Sequence, residues 1–206
     1  MSRNPLSYRG NAAAACDLRQ ITHAVETLRR HHSNQTDKAM IHNLEELYYD
    51  QLRDLHSAET QLIAALPEMI SHSTDEDLRK AFTHHLEETK GQLARIIRIC
   101  ADHGIEPQGE ECDAMKGLIK EARKHLAETE AGVVRDAVLI ASANRVEHYE
   151  IAAYGVAKAF AKALGHDEAA DLLAETLDEE SAADTTITKI ATGGLFSSGI
   201  NEAAIR

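Results

Sequence analysis

From Met40 onward, apolar side chains recur every three or four residues, which is the spacing of one face of an α-helix. The pattern predicts four long helices, with one shorter helix between the second and the third. The long helices are predicted at about 41–72, 75–103, 132–163 and 167–191, and the short one lies within 105–131. Ser73 or Thr74 is the predicted N-cap of the second helix, and Gly104 and Gly165 are predicted to end the second and third.

The connections between the predicted helices indicate the topology. Short turns join the first helix to the second and the third to the fourth, which makes two antiparallel hairpins. The second and third helices are separated by a segment long enough to cross the length of a bundle. We therefore predict an all-α fold, a ferritin-like four-helix bundle in which two antiparallel hairpins are joined by a long crossover containing a short helix.

This topology divides the chain into three parts. Residues 1–37 form an N-terminal extension, predicted as a short helix or a partly disordered segment. Residues 38–192 form the ferritin-like bundle. Residues 193–206 form a C-terminal tail.

Composition and charge narrow the range of partners. The 206-residue chain is 43% apolar but only 4% aromatic, which favours helices over sheet. The net charge of −12 argues against nucleic acid, because its phosphates would be repelled. No apolar run reaches the roughly 18 residues of a transmembrane helix, so no membrane partner is predicted. Cys16, Cys100 and Cys112 show no CxxC spacing, which favours reduced thiols and a cytoplasmic location.

Each long helix carries a carboxylate near the middle of its otherwise apolar stripe. The candidate inward positions are Glu59 in the first helix, His85 and Glu88 in the second, Glu147 and Glu150 in the third, and Glu180 and Asp184 in the fourth. Glu150 lies at the edge of its stripe, and Glu179 competes with Glu180 as the inward residue of the fourth helix. His85 and Asp184 are candidates either for direct ligands or for residues behind the ligands.

The spacing of these carboxylates from the turns places them at one level of the bundle. Glu59 and Glu88 lie about equally far from the first hairpin turn, and Glu147 and Glu180 lie about equally far from the second. Positions that mirror each other about a hairpin turn meet side by side, so we expect one buried cluster. A single buried glutamate is more often paired with Lys or Arg at a helix edge, but four at matching heights are not explained that way.

Clustered, desolvated carboxylates cannot all stay ionised without a compensating charge. A pair of divalent ions would offset both the burial and the mutual repulsion. Glutamate and histidine donors favour iron or manganese over a thiolate-type zinc site. We therefore predict two iron ions per chain, with manganese as the alternative, and a polar core without metal remains the competing interpretation.

Five segments carry the pattern most clearly: "LHSAETQL" (55–62), "HLEETKGQ" (85–92), "CDAMKGLIKEA" (112–122), "NRVEHYEIAAYG" (144–155) and "LLAETLDEESAAD" (172–184). Together they resemble the bacterial YciF-type family of ferritin-like stress-associated proteins. The resemblance covers about residues 42–192. It implies a distant relationship to rubrerythrins and ferritins, a di-iron site and a homodimer.

The resemblance also implies roles for individual residues. Glu59 matches the single ligand of the first helix, Glu88 the glutamate of the second and Glu180 the glutamate of the fourth. Glu147 and Glu150 match the Glu-x-x-Glu pair of the third helix of rubrerythrins. Gly91 and Ala183 stand where typical di-iron helices have histidine. Either His85 and Asp184 substitute for those histidines, or the site is histidine-poor and binds metal differently.

The expected function is that of a cytoplasmic dimetal-carboxylate protein of the bacterial stress response. If it is an enzyme, it is a di-iron oxidoreductase, ferroxidase- or peroxidase-like, that oxidises Fe(II) or reduces O₂ or a peroxide. Its small-molecule partner is then the oxidant. One alternative is a non-enzymatic dimeric structural or binding bundle with a relic or metal-free carboxylate core. A second is manganese-dependent peroxide dismutation.

Overall fold

The computed structural model describes residues 40–194 and 197–205. The chain divides into two units, Met1–Met40 and Ile41–Arg206. The predicted N-terminal extension at 1–37 lies outside the described residues. In the second unit the long helices are α1 (Leu44–His72), α2 (Glu76–Asp102), α4 (Val133–Leu164) and α5 (Asp167–Thr192), and the short ones are α3 (Asp113–Ala127) and α6 (Ile200–Ala203).

The four long helices form a closed bundle. Helix α1 packs against α2, α2 against α5, α5 against α4, and α4 against α1. The two hairpins are α1–α2 and α4–α5, and α3 lies in the crossover between them, packed against α4 and α1. The predicted all-α fold, two antiparallel hairpins joined by a crossover with a short helix, is therefore confirmed.

Local turn chemistry sets the hairpin ends. Gly165 ends α4 in the left-handed backbone region (φ 78°), where a side chain would be strained, so glycine suits this turn. At the other hairpin the predicted cap, Ser73 or Thr74, is wrong, because Asp75 caps α2. Thr74 is instead held by Asp136 of α4, which accepts hydrogen bonds from its amide (2.8 Å) and its hydroxyl. A contact this distant in sequence is invisible to a local capping rule.

The core of the bundle consists of two apolar clusters, one toward each hairpin turn, with a polar layer between them. The first cluster, toward the α1–α2 turn, includes Leu62, Leu66, Leu78, Phe82, Leu139 and Ile187. The second, toward the α4–α5 turn, includes Tyr48, Leu52, Leu55, Ile96, Ile99 and Leu173. In α2, α4 and α5 the candidate site residues lie between the contributions of the helix to the two clusters, and in α1 Glu59 directly follows Ala58, where the two clusters meet.

The segment predicted as a C-terminal tail at 193–206 contains structure of its own. Strands β1 (Gly193–Gly194) and β2 (Ser197–Ser198) pair antiparallel, and α6 follows them. Ile200 of α6 is only 7% exposed and belongs to the first apolar cluster. Burial of this one side chain attaches the segment to the bundle.

Candidate metal centre

The polar layer between the two apolar clusters is made by all four long helices. Its fully buried acidic and basic members are Glu59 from α1, His85 from α2, Glu147 and Glu150 from α4, and Glu180 from α5, each no more than 3% exposed. Glu147 and Glu150 lie one helical turn apart, so both point toward the bundle axis. A soluble protein rarely buries even one unpaired carboxylate, and this layer holds four.

Four of these side chains converge on one point. Each of His85, Glu147, Glu150 and Glu180 offers a ligand atom, and these atoms all lie within 4.8 Å of one another. His85 Nε2 is 3.5 Å from Glu147 Oε1. Glu59 lies beside this group, since its charge acts on Glu150 and the charge of Glu180 acts on it. These five residues together form the buried centre.

The other two predicted site residues lie at the margin of the buried centre. The side chains of Glu88 and Asp184 are each 23% exposed. Glu88 has one carboxylate oxygen 3.7 Å from His85 Nδ1 and the other 3.1 Å from Nε2 of the exposed His84. Asp184 accepts a hydrogen bond from the Asn144 amide at 2.8 Å. The structure does not bring these two carboxylates into the group that converges within 4.8 Å.

The choice between Glu179 and Glu180 is resolved by burial. Glu180 is fully buried, and Gln92 Nε2 donates a hydrogen bond to it. Glu179 is half-buried and forms a two-pronged contact with Arg95, at 2.8 and 2.6 Å. Gln92 also donates to Glu179, at 3.1 Å, and so links the buried and the half-buried carboxylate.

Most oxygens of the buried centre have no hydrogen-bond partner in the part of the chain that the structure describes. Both oxygens of Glu150 are unpartnered, as is one oxygen each of Glu59, Glu147 and Glu180. A buried polar atom left without a partner costs about 1–3 kcal/mol, and a charged one costs more. Oxygen atoms that converge, face inward and lack partners suit a divalent cation. With one imidazole among four carboxylates, the donor set fits iron or manganese.

Burial raises the pKa of Glu59, Glu147 and Glu150 well above the usual range of a glutamate. Glu180 adds to the rise, as a neighbouring negative charge on Glu59 and Glu150 and through a hydrogen bond to Glu147. In the absence of a cation these shifts favour the protonated form of the three carboxyl groups. A cation that binds there must displace those protons, so metal uptake and proton release are coupled.

Two tyrosines support the site-bearing helices. The Tyr154 hydroxyl donates a hydrogen bond to Glu59 Oε1, which joins α4 to α1 inside the core. The Tyr149 hydroxyl donates to Asp54 at 2.6 Å and lies 2.9 Å from the thiol of Cys112, at the start of α3. The sequence pattern did not single out Tyr149, because it lies off the inward stripe of its helix.

Arg95 is a further residue that the sequence pattern did not single out. Its guanidinium bridges Glu175 and Glu179 across the α2–α5 interface, at 2.5 and 2.6 Å. The available signal was its place one turn after Gln92, opposite an acidic run on the fourth helix. Arg95 draws Glu179 toward the surface, which leaves Glu180 as the inward residue.

Fold and site together define a class of protein: an all-helical bundle with ferritin-like connectivity and a buried glutamate–histidine cluster at mid-height. The chain belongs to the family described as "Domain of unknown function (DUF892)", whose model matches residues 43–204. The family resemblance stated from the sequence motifs is confirmed.

Among characterised relatives, Protein YciF of Escherichia coli (strain K12) is 42% identical over 161 residues, which cover 78% of this chain and 97% of the relative. The crystal structure of the E. coli stress protein YciF superposes with a TM-score of 0.70 at 43% identity and covers 72% of this chain and 94% of that one. YcfI from Rhodopseudomonas palustris, provisionally described as a structural protein, gives 0.73 at 42% identity and covers 76% and 99%. The chain is therefore similar to YciF-type proteins across the whole bundle.

Proposed function

We propose that this protein binds a pair of iron ions in its buried centre and acts in the stress response, with manganese as the alternative metal. One observation carries the proposal. Five carboxylate oxygens from three different helices are buried in one layer, and none has a hydrogen-bond partner among the described residues. A stable bundle does not keep such oxygens in its core unless something neutralises them.

The residues divide the task of holding the ions. Glu59, Glu147, Glu150, Glu180 and His85 would bind or bridge them, and Glu88 and Asp184 would contribute from the margin. When bound, an iron pair supplies oxidation of Fe(II) coupled to reduction of O₂ or a peroxide. Gln92 orients Glu180, the Tyr154 hydroxyl keeps a proton at Glu59 Oε1, and the two apolar clusters exclude water above and below the centre.

Metal analysis of protein purified without added metal tests the proposal. We expect about two iron or manganese ions per chain. The double variant Glu59→Ala plus Glu147→Ala should lose them, while Glu179→Gln, a neighbouring half-buried carboxylate, should retain them. The proposal would be overturned by a crystal structure, from crystals grown with excess metal, in which the carboxylate cluster is hydrogen-bonded and holds no ion.

A non-enzymatic structural role is the second candidate, and the description of the R. palustris relative as a structural protein favours it. Enzyme assays separate the candidates. A metal-loaded protein that turns over neither Fe(II) with O₂ nor peroxide would support the structural role. Steady consumption of peroxide with manganese but not with iron would select peroxide dismutation instead.

The expected oligomer and location are further proposals. A homodimer rests on the family resemblance, and sedimentation of the full chain at micromolar concentration tests it. A cytoplasmic location is supported by Cys100 and Cys112, which are buried free thiols. Within the described residues, none of the helices has the length and apolar character needed to cross a bilayer.

A further inference from the structure

A gap between α2 and α5 leads from the surface toward the buried centre. It is a pocket of about 100 Å³ whose walls include Ala81, His84, His85 and Glu88 of α2 and Ala182 and Ala183 of α5. One water requires roughly 10–15 Å³ of such space, so several waters fit in the pocket. An ion that retains part of its hydration shell is of the same size class.

The gap exists because the facing side chains are small at this level of the bundle. Ala81, Ala182 and Ala183 present single methyl groups where the helices meet. Only two turns further along, Gln92 and Arg95 of α2 reach across to Glu179, and Arg95 also reaches Glu175. The same pair of helices is therefore closed by polar contacts on one side of the centre and left open on the other.

The two ends of the gap suit the passage of a cation. His85 is 3% exposed, lines the gap and also belongs to the buried centre, so the inner end of the gap touches the centre directly. Glu88 is 23% exposed, and beside it the side chain of His84 is 76% exposed. Glu88 Oε2 lies 3.7 Å from His85 Nδ1, so this carboxylate connects the outer end of the gap with the residue at its inner end.

A second groove provides a contrast. It lies between α1, α3 and α4, and most of its lining is apolar, including Leu62, Met69 and Leu118. The carboxylate in its lining, Glu68, is paired with Arg123 at 2.8 Å. Its lining contains no member of the buried centre. A hydrated cation would lose water there against mostly apolar walls and would compete with Arg123 for the carboxylate, which makes that groove unsuitable.

We infer that the α2–α5 gap is the path by which hydrated divalent cations reach the buried centre, with Glu88 as the carboxylate that first receives them. The inference rests on the proposed metal-binding function. It also assigns a role to Ala183, where the family resemblance led us to expect histidine. A histidine there would fill the gap, whereas alanine keeps it open. This role accounts for the position of Glu88 at the margin of the buried centre, where the gap opens to the surface.

The test measures how fast the metal-free full chain takes up Co²⁺, whose visible absorbance reports binding in stopped flow. Ala183→Leu on α5 and Ala81→Leu on α2 narrow the gap from either wall without removing a ligand. Ala174→Leu, at a half-buried alanine of the same helix outside the gap, is the matched control. We expect each gap variant to slow uptake by about tenfold, equivalent to about 1.4 kcal/mol of barrier, with the same final number of ions bound.

A second pair of variants tests the charge at the mouth. Glu88→Gln should slow uptake and reduce its dependence on salt, because the carboxylate no longer attracts the ion. Glu87→Gln, at the adjacent exposed glutamate paired with Lys90, should leave uptake unchanged. Gap variants that load as fast as the wild type would overturn the path while leaving the metal site intact. A wild type that takes up neither Co²⁺ nor Fe²⁺ would instead overturn the proposed function, and the path with it.

Discussion

Glu179 and Glu180 are neighbours in sequence and have opposite surroundings. Glu179 is half-buried and receives two contacts from the Arg95 guanidinium. Glu180 is fully buried, and its Oε2 has no hydrogen-bond partner within the described part of the chain. The fold thus supplies a cation to the carboxylate near the surface, and Glu180 faces other carboxylates and one imidazole. The proposed metal binding accounts for this contrast, because a bound ion would supply to Glu180 the positive charge that Arg95 supplies to Glu179.

Among the changes that test this contrast, removal of metal should have the largest effect on the stability of the protein. At a free ion concentration of about a hundred times Kd, ion binding stabilises the folded state by about 2.7 kcal/mol. For a chain of this size that predicts a fall in Tm of about 5–10 °C on chelation. Calorimetry of the loaded protein before and after treatment with a chelator measures it. The Tm of the Glu59→Ala plus Glu147→Ala variant should respond to neither metal nor chelator, and an unchanged wild-type Tm would contradict the prediction.

The two neighbouring glutamates should respond to neutralisation with opposite signs. In metal-free protein, Glu180→Gln removes a buried charge from a repelling cluster, so we expect stabilisation by about 2 kcal/mol together with loss of the response to metal. Glu179→Gln weakens a half-buried ion pair, so we expect destabilisation by about 1 kcal/mol at most, with the response to metal retained. Urea denaturation of both variants, with and without Mn²⁺, gives the comparison. If both variants change the free energy of unfolding in the same direction, the proposed difference between the two glutamates is wrong.

The stability of the metal-free protein should depend on pH in a direction set by the centre. Because burial raises the pKa of Glu150, the folded state holds a proton that the unfolded state has released. The associated stability is fully present below the ordinary glutamate pKa and is lost as pH rises through the raised one. Relative to Glu150→Gln, the wild type should lose up to about 1.4 kcal/mol per pH unit in that window.

Denaturant titrations of both proteins from about pH 5 to about pH 8, in the presence of a chelator, measure this difference in the free energy of unfolding. Saturating metal should flatten the difference, because the bound ions replace the protons. A difference that stays constant with pH in the metal-free proteins would mean that Glu150 titrates as it does in the unfolded chain.

Tyr154→Phe should have the smallest effect. The substitution removes one hydrogen bond to Glu59 without changing the shape of the core, so the expected loss is about 1 kcal/mol. Metal-free and metal-loaded proteins should both lose about this amount, which urea denaturation measures. A much larger loss confined to the loaded protein would show that Tyr154 contributes to holding the ions.

The fold was largely predictable from sequence because its determinants are local. Helix ends depend on residues such as Gly165 within a turn of the boundary, and mirror positions about a hairpin turn must meet. Most of the residues of the buried layer follow from that geometry, including Glu59 and Glu147. The cap at Asp75 was missed because Asp136, 62 residues further along the chain, engages Thr74.

The finer layout of the site depends on how far each helix is rotated about its own axis. A periodic stripe specifies a face about 100° wide, the angle between successive residues of a helix. His85 and Glu88 both fall within it, and only tertiary packing places the first in the centre and the second at its margin. Arg95 separates Glu179 from Glu180 in the same way, through contacts across the α2–α5 interface that no single helix contains.

The contact between Tyr149, Asp54 and Cys112 gives the crossover a mechanical role. Tyr149 lies between Glu147 and Glu150 in sequence. Its hydroxyl contacts Asp54 of α1 and Cys112, the residue directly before α3. A helix held at one side chain cannot turn about its axis without breaking that hold. The contact with the crossover therefore fixes the rotation of α4 about its own axis. This rotation sets the direction in which Glu147 and Glu150 point. The orientation of Glu147 and Glu150 thus depends on residues that lie outside the buried centre.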